Sequence, residues 1–189
     1  MVITEISADW PVLGVLQALP LLAGLILTRW RGVIAFGLAM LVTSVEFGLA
    51  VYLYHQLDAQ LPAGTMQFAE HIPIWGALQY RAGVDGLSVL FVLLTALLSF
   101  LGVVFIVLRR LHGTSMLALI VLSEATLMSQ FATLDLLWFW LMMGFEIIFT
   151  GYMTKRWATF HDVTPTLIRY LQFMATAMVL MGLGMMLLG

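Results

Sequence analysis

Six long apolar segments, separated by short polar stretches, make up most of the 189-residue chain. A bilayer core of about 30 Å requires roughly 20 apolar residues per helix, so each segment is long enough to cross a membrane. Because lipid-exposed backbone must satisfy its own hydrogen bonds, the segments are predicted to be helices. The predicted helices cover about residues 10–28, 33–54, 84–108, 115–133, 136–154 and 167–188. The pattern thus predicts an all-α, polytopic six-helix bundle, a single transmembrane domain over 1–189 with one long connection at 55–83.

The composition agrees with a membrane protein. Hydrophobic residues make up 62% of the chain and charged residues 10%, whereas soluble domains carry about 25% charged residues. The surface is therefore expected to face lipid or other membrane subunits. The net charge of −2 argues against a nucleic-acid partner, and the absence of cysteine excludes disulfides and thiolate metal sites.

The distribution of basic residues predicts how the helices are oriented. Cytoplasmic loops of membrane proteins are enriched in lysine and arginine. Alternate loops and the adjoining helix ends hold all but one of the eight basic residues, namely Arg29, Arg31, Arg109, Arg110, Lys155, Arg156 and Arg169. The opposite side holds only Arg81. Both termini are therefore predicted on the non-cytoplasmic side, in a bacterial cytoplasmic (inner) membrane.

Three segments resemble a known family. Residues 83–88 read GVDGLS and are followed by the apolar run FVLLTALL. An F-x-x-x-D-L signature begins at Phe131 and contains Asp135, and the chain ends in TPTLIRYLQFMATAMVLMGLGMMLLG. Together these segments resemble the antiporter-like, M-type (Mrp-related) subunits of complex I and the proton-conducting membrane transporters. Such subunits have about fourteen helices, so the resemblance implies a shortened member that matches their N-terminal portion.

The resemblance also implies a proton site, from which this sequence departs. In the family, a glutamate on the fifth helix pairs with a lysine on a later helix. The family glutamate lies nine residues after the signature aspartate, which corresponds here to Gly144, and Glu146 follows two positions later. Two residues rotate a helical position by about 200°, so Glu146 is predicted to face the opposite way. The only lysine, Lys155, lies at a predicted helix end. The chain's own proton channel is therefore expected to be incomplete.

Three acids within the predicted helices are candidates for a proton relay or a coupling contact. Glu124 and Glu146 lie at similar distances from the turn near residue 134, which places both about 15–18 Å below the membrane surface. They could share a proton if their helix faces meet. Glu46 lies midway along the second helix, beside Thr43 and Ser44. The alternative for each acid is a structural role, as a protonated side chain hydrogen-bonded to a neighbouring backbone group or hydroxyl.

The remaining charged positions have simpler explanations. Asp85 and Asp135 each open a predicted helix, where an acid complements the helix dipole, and both are expected to be caps. Arg169 is shallow enough to extend to the interface, although a position facing the bundle would allow it to pair with an acid. The histidines, at 55, 71, 112 and 161, lie in loops or at helix ends without metal-ligand spacing.

These features leave three functional hypotheses. The first is a component of a proton-coupled, multi-subunit membrane complex, which packs against a full-length antiporter-like subunit. The second is an independent proton or cation transporter that uses Glu124 and Glu146. The third is a structural adaptor of a hydrogenase or a bicarbonate/CO2-uptake complex. The sequence contains no glycine-rich phosphate loop or nucleophile constellation, so no cofactor and no catalytic centre of its own are expected.

Overall fold

The computed structural model describes residues 5–7, 10–58, 60–62, 65–75, 78–109, 113–159 and 163–188. Six helices are present: α1 (Val12–Arg29), α2 (Val33–Gln56), α3 (Gly86–Leu108), α4 (Thr114–Ala132), α5 (Leu136–Trp157) and α6 (Val163–Leu188). Three strands are present as well: β1 (Glu5–Ser7), β2 (Met66–Trp75) and β3 (Leu78–Val84). Arg110, His112 and His161, which the sequence placed in loops or at helix ends, lie outside the described residues.

All six helices are long and apolar enough to cross a membrane, which confirms the predicted fold class. The largest difference from the predicted bounds is at α6, which begins at Val163 and not near residue 167. Pro165 is the third residue of this helix. Proline is tolerated in a first turn, since the amide groups there have no partner within the helix. Pro165 therefore lies in the first turn of α6 and does not end the helix.

Helix α4 is the centre of the arrangement. It contacts α1 and α3 as neighbours in a four-helix bundle, contacts α2 across that bundle, and contacts α5 on its outer side. Helix α5 in turn contacts α6. The only buried residue that α5 contributes is Gly151, and α6 has one buried residue among its described side chains, Leu167, the others being half-buried or exposed. The α5–α6 pair therefore presents a large apolar surface to lipid or to further membrane helices.

The core of the four-helix bundle consists of two apolar clusters at opposite ends. One cluster lies near the strands and includes Leu13, Leu16, Leu53, Val92 and Met128. The other lies at the far end and includes Leu27, Ala39, Val103, Leu117 and Val121. Along each of the helices α2, α3 and α4, a buried polar position separates the two clusters. These positions are Thr43, Glu46, Ser99 and Glu124. The middle of the bundle is thus a polar layer between two apolar ones.

The connection predicted as a 55–83 loop is in fact partly ordered as strands. Strands β2 and β3 pair in an antiparallel hairpin, and β1 pairs in parallel with β2. The backbone N–H of Leu134, in the α4–α5 turn, donates to the carbonyl of Arg81 at 2.8 Å. The β1–β2 pairing and the Leu134–Arg81 bond thus join segments distant in sequence, whereas the β2–β3 pairing is local. Local turn signals such as Pro62 and Pro73 therefore indicated a loop, whereas tertiary contacts produce a small sheet.

A carboxylate from the hairpin caps the first helix. The backbone N–H groups of Leu13 and Gly14 donate to the two oxygens of Glu70 at 2.6 and 2.9 Å. Pro11, at the N-cap of α1, makes no side-chain cap of its own. Burial raises the pKa of Glu70, and the two backbone hydrogen bonds oppose this effect. The cap comes from more than fifty residues away, so no local sequence signal predicted it.

We expect Glu70 to make the start of α1 sensitive to pH. Its pKa is raised in the folded protein, so the folded state binds the proton more tightly than the unfolded state. Its contribution to stability is therefore complete below its ordinary pKa of 4.5 and is lost as the pH rises through the raised value. The protection factors of the Leu13 and Gly14 amides, in which the intrinsic rise of exchange with pH is divided out, should fall over that interval in the wild type.

Glu70→Gln separates this titration from the hydrogen bonds. Glutamine has one acceptor oxygen in place of two, so one helix N–H loses its partner, at a cost of about 0.5–2 kcal/mol. The exchange of the first-turn amides should be faster than in the wild type at every pH and should not vary with the titration of this side chain. Asp58→Asn, at an exposed site near the same sheet, is the matched control. An unchanged pH profile in Glu70→Gln would contradict the assignment.

Candidate functional site

Two carboxyl groups are buried inside the four-helix bundle. Glu46 projects from α2 and Glu124 from α4, and both side chains are 0% exposed. The carboxyl groups are near enough to interact electrostatically. Within the described part of the chain, none of their four oxygens has a hydrogen-bond partner. Buried polar groups without partners are rare in proteins, which marks this pair as the chief candidate site.

The hydroxyl groups near Glu46 are used elsewhere. Thr43 donates to the carbonyl of Ala39 at 2.9 Å, and Ser44 donates to that of Met40 at 2.6 Å. Such back-bonding to the preceding turn is common for these residues in helices. Within the described residues, neither Thr43 nor Ser44 therefore forms a hydrogen bond to Glu46. Helical geometry directs these hydroxyls along their own helix, and the carboxyl group is left unpaired.

Glu146 has a different environment on the other side of α4. Its Oε2 lies 2.6 Å from the Thr126 hydroxyl, and Thr150 donates to its Oε1 at 3.1 Å. The Thr126 hydroxyl also lies 2.9 Å from the carbonyl of Ser123. Glu146 is half-buried and hydrogen-bonded to two threonines, so its surroundings match the structural alternative more closely than those of Glu46 or Glu124.

The Thr126 hydroxyl allows Glu146 to be either charged or neutral. A hydroxyl has one proton to donate, and Thr126 has two acceptors within reach. If Glu146 is ionised, Thr126 donates to its carboxylate. If Glu146 is protonated, the carboxyl donates to Thr126, which then donates to the carbonyl of Ser123. Rotation of this one hydroxyl group therefore accommodates either protonation state of Glu146.

A cavity of about 440 Å³ lies between α3, α4 and α5. Both Glu124 and Glu146 line this space, which we call the carboxyl cavity. Its other polar lining residues are Ser99, Ser123, Thr150 and Thr154. The two glutamates have no hydrogen bond to each other, because Glu146 bonds to Thr126 and Thr150 while Glu124 has no partner among the described residues. They thus share a cavity without directly sharing a proton.

The position that matches the family glutamate has a structural role. A Cβ at Gly144 would lie 2.8 Å from the Cε of Met178, so this face of α5 packs tightly against α6. Glu146 instead faces α4 through Thr126. Arg169 is exposed on α6 and, within the described residues, forms no ion pair with any of the three glutamates. These positions therefore do not reproduce the glutamate–lysine pair that the resemblance implies.

The two expected caps are present. Asp85 precedes α3 and accepts a hydrogen bond from the Ser88 backbone N–H at 2.7 Å, which lowers the pKa of Asp85. Asp135 precedes α5 and accepts from the Trp138 N–H at 3.0 Å. Each carboxylate satisfies a helix N–H group that has no partner within the helix. Their role is to begin the two helices at defined residues.

Sequence reasoning passed over another buried polar group. The Ser129 hydroxyl on α4 donates to Oε1 of Gln17 on α1 at 3.0 Å, and both side chains are buried. Among the described residues, Gln17 Nε2 and the hydroxyl of nearby Tyr80 make no hydrogen bond of good geometry. Burial and then the Glu70 carboxylate raise the pKa of Tyr80, and the interaction with the Gln17 side chain opposes them. The sequence did contain one sign of this pair. Gln17 lies within an otherwise apolar helix, and Ser129 on α4 lies at a comparable depth in the bundle.

Two solved structures are similar to this chain. The membrane-bound sulfane sulfur reductase, an archaeal respiratory membrane complex, matches with a TM-score of 0.68 at 16% identity, over 86% of this chain and 34% of the other. Respiratory complex I from Thermus thermophilus with bound NADH matches with a TM-score of 0.62 at 28% identity, over 77% and 29%. No protein-family model matches the sequence, and no curated protein is significantly similar to it.

The fold defines the chain as a multi-pass membrane protein built from six apolar helices. The two matches support, more particularly, the resemblance to complex I: the chain is similar to membrane subunits of complex I-type respiratory complexes. At 16% identity the archaeal match is evidence for the fold alone, whereas the Thermus match is closer in sequence. The chain spans about a third of the length of the solved subunits that it matches. The similarity supports a component of a multi-subunit respiratory membrane complex.

Proposed function

We propose that the chain is a membrane component of a proton-coupled, complex I-like complex of a bacterial cytoplasmic membrane. The observation that carries this proposal is the pair Glu46 and Glu124, fully buried at the middle of the bundle with no hydrogen-bond partner among the described residues. An isolated ionised carboxylate in such surroundings is very unfavourable, so each acid binds a proton or meets a transient partner. Intramembrane acids of this kind are typical of proton pathways.

The carboxyl cavity supports a proton route between the acids. Glu124 interacts with Glu46 inside the bundle and also lines the cavity in which Glu146 lies. Glu124 is therefore the proposed link between the bundle interior and α5. The threonine contacts of Glu146 accommodate both of its protonation states. A proton would pass between these acids across the helices, by rotation of hydroxyl and carboxyl groups.

The exposed α5–α6 surface supports the proposed partner. Most residues of helix α6 are exposed, and its exposed apolar side chains include Phe173, Leu180 and Leu187. We propose that further helices of an antiporter-like subunit cover this surface. The only lysine of the chain, Lys155, lies in the last turn of α5, away from the buried acids. A cationic partner for the acids would therefore come from these additional helices, and the proton route would be complete only in the assembly.

The direct test is proton translocation by the complex purified through a tag on this chain. Glu124→Gln keeps the size of the side chain and removes the titratable carboxyl group. We expect this variant to lower proton translocation per turnover at least tenfold, measured with a pH-sensitive dye in proteoliposomes. Asp58→Asn, at an exposed site, is the control and should have no effect. Full translocation by a Glu46→Gln/Glu124→Gln double variant would reject the proposal.

The carboxyl cavity also favours a second candidate, an autonomous proton or cation transporter. Both Glu124 and Glu146 line this cavity, so one chain provides two acids on one possible route. Proteoliposomes that contain only this chain should then support a proton or sodium flux that Glu124→Gln abolishes. Absence of flux from the chain alone, with flux from the complex, would reject this candidate and leave the first proposal standing.

A further inference from the structure

A second cavity lies at the strand end of the four-helix bundle, between β1, β2 and the adjoining ends of α1 and α2. Its volume is about 320 Å³. We call it the aromatic cavity, because Trp10, Tyr52 and Phe68 are among its lining residues. A space of this size is at the lower end of the range for small-molecule sites, so one small ligand can contact groups on opposite walls. It shares no lining residue with the carboxyl cavity.

Two of the three aromatic side chains form an incompletely covered pair. The ring centroids of Trp10 and Tyr52 are 6.4 Å apart, and the ring planes are inclined by 43°. The two residues are 41% and 40% exposed, so packing within the chain covers only part of their surface. The face of an aromatic ring is electronegative and attracts a cation within about 6 Å of its centroid. This pair therefore favours a cation over a neutral or anionic group.

The third ring depends on an unusual backbone conformation. Phe68 has a φ of 56°, in the left-handed region that residues other than glycine rarely adopt. It lies where the register of β2 shifts against both β1 and β3. Bulges of this kind redirect a side chain, and such backbone strain is concentrated at functional sites. The bulge thus places Phe68 in the wall of the aromatic cavity.

Asp58 gives the aromatic cavity its charge. Among the described residues that line the cavity, it is the only charged one. The side chain of Gln67, which is buried, holds the Asp58 backbone at two points: its Oε1 accepts from the Asp58 N–H at 3.0 Å, and its Nε2 donates to the Asp58 carbonyl at 2.9 Å. The Asp58 Oδ1 accepts from the Gln60 N–H at 2.9 Å. An ionised carboxylate has about four acceptor sites, so it also attracts a cation in the cavity.

The lining distinguishes between two kinds of organic cation. A primary ammonium has three N–H donors, each of which needs an acceptor. Rings and aliphatic side chains form most of this wall, the latter being Ile6, Val12 and Leu61, and the Gln67 amide is already bonded to Asp58. A trimethylammonium group has no donor to satisfy. Its methyl groups pack against apolar side chains, while its charge interacts with the rings and the carboxylate.

We propose that the aromatic cavity binds a trimethylammonium group, as in choline, between the rings of Trp10, Tyr52 and Phe68 and the Asp58 carboxylate. The cavity lies where the helices end, so the group can come from free choline or from the phosphocholine headgroup of a lipid. Both sources present the same cation to the same rings. The cavity is separate from the buried acids, and this inference does not depend on the proposed proton chemistry.

The role of the charge is tested with two probes of equal shape. Dimethylbutanol is the neutral carbon analogue of choline, in which a tert-butyl group replaces the trimethylammonium group. The complex, purified through a tag on this chain in a maltoside detergent, is titrated with each probe, and Kd is measured by ligand-detected NMR. Choline should bind about five- to thirtyfold more tightly than dimethylbutanol, which is the effect of cation–π contacts. Ethanolamine, which lacks the methyl groups, should also bind more weakly than choline.

Paired variants assign the binding to this cavity. Tyr52→Phe keeps the aromatic ring and should keep the choline affinity of the wild type. Tyr52→Leu removes the ring and should weaken choline binding about two- to fivefold, as should Trp10→Leu. Tyr54→Leu, exposed on the same helix and outside the lining of the cavity, is the matched control and should leave the affinity unchanged.

Either of two results would overturn the proposal. The first is equal affinity of the wild type for choline and dimethylbutanol, which would mean that the wall selects an apolar shape and not a cation. The second is equal choline affinity in Tyr52→Leu and Tyr54→Leu, which would mean that choline binds elsewhere in the complex. The two supporting outcomes differ in the source of the group. Displacement of choline by phosphatidylcholine, and not by phosphatidylglycerol, supports a lipid headgroup, whereas retention of choline in both lipids supports the free solute.

Discussion

Glu46→Met is expected to stabilise the four-helix bundle while impairing its function. Methionine has a similar size and no polar atom that requires a hydrogen bond. The substitution removes a buried carboxyl group that has no partner among the described residues, which should raise the free energy of unfolding by about 1–3 kcal/mol. The apparent melting temperature of the detergent-solubilised protein should rise by about 2–4 °C for each kcal/mol. Proton translocation by the assembled complex should fall at the same time.

Glutamine is the matched control for this prediction. Glu46→Gln keeps a buried polar group without a partner, so it should lack the stability gain of Glu46→Met. Glu124→Met should behave in the same way as Glu46→Met, because both acids are equally buried. Glu146→Met should instead lower stability, because it removes the contacts with Thr126 and Thr150. Destabilisation by both Glu46→Met and Glu124→Met would contradict the assignment of an unsatisfied pair. If these methionine variants were more stable and proton translocation by the complex were unimpaired, the pair would have no role in proton transfer.

Gly24→Ala is expected to destabilise the same bundle through a steric clash. A Cβ at this position on α1 would lie 2.6 Å from both Cγ and Cδ2 of Leu122 on α4, and 3.3 Å from the Leu122 backbone nitrogen. The first contact involves the branch point of a buried leucine, and the last involves the backbone, so the two helices must move apart. Overpacking of this kind costs about 1–3 kcal/mol. The apparent melting temperature of the purified protein should fall accordingly.

Two other glycines provide the control. Gly37 and Gly48, on α2, would each place an added Cβ in open space. Alanine is a better helix former than glycine by up to about 1 kcal/mol, so Gly37→Ala and Gly48→Ala should leave stability unchanged or raise it slightly. If Gly24→Ala were as stable as these two variants, the close approach of α1 and α4 would be disproved.

The family resemblance and the geometry lead to different carboxyl groups. The sequence motif directs attention to α5, where Gly144 takes the position of the family glutamate and Glu146 lies two residues later. In the structure Gly144 packs on Met178 of α6, and Glu146 is hydrogen-bonded to two threonines. Among the described residues, the acids without a hydrogen-bond partner are Glu46 and Glu124, on α2 and α4. A motif identifies positions along one helix. It does not show which faces of different helices pack together.

The sequence by itself determined the six membrane helices and the starts of α3 and α5. These features depend on local properties: the length of each apolar run, and a capping acid at Asp85 or Asp135. The intramembrane acids were also visible, because a carboxyl group within an apolar segment is conspicuous in any one-dimensional pattern.

Only the tertiary structure decided which polar groups meet. Glu70 caps α1 from the hairpin, Ser129 donates to Gln17 on another helix, and Glu46 and Glu124 lie near enough inside the bundle to interact electrostatically. Helical periodicity assigns each residue to a face of its own helix, but it does not state which helix covers that face. That depends on the packing of all the helices together. Close approaches such as Gly24 against Leu122 decide it, through contacts between residues far apart in the sequence.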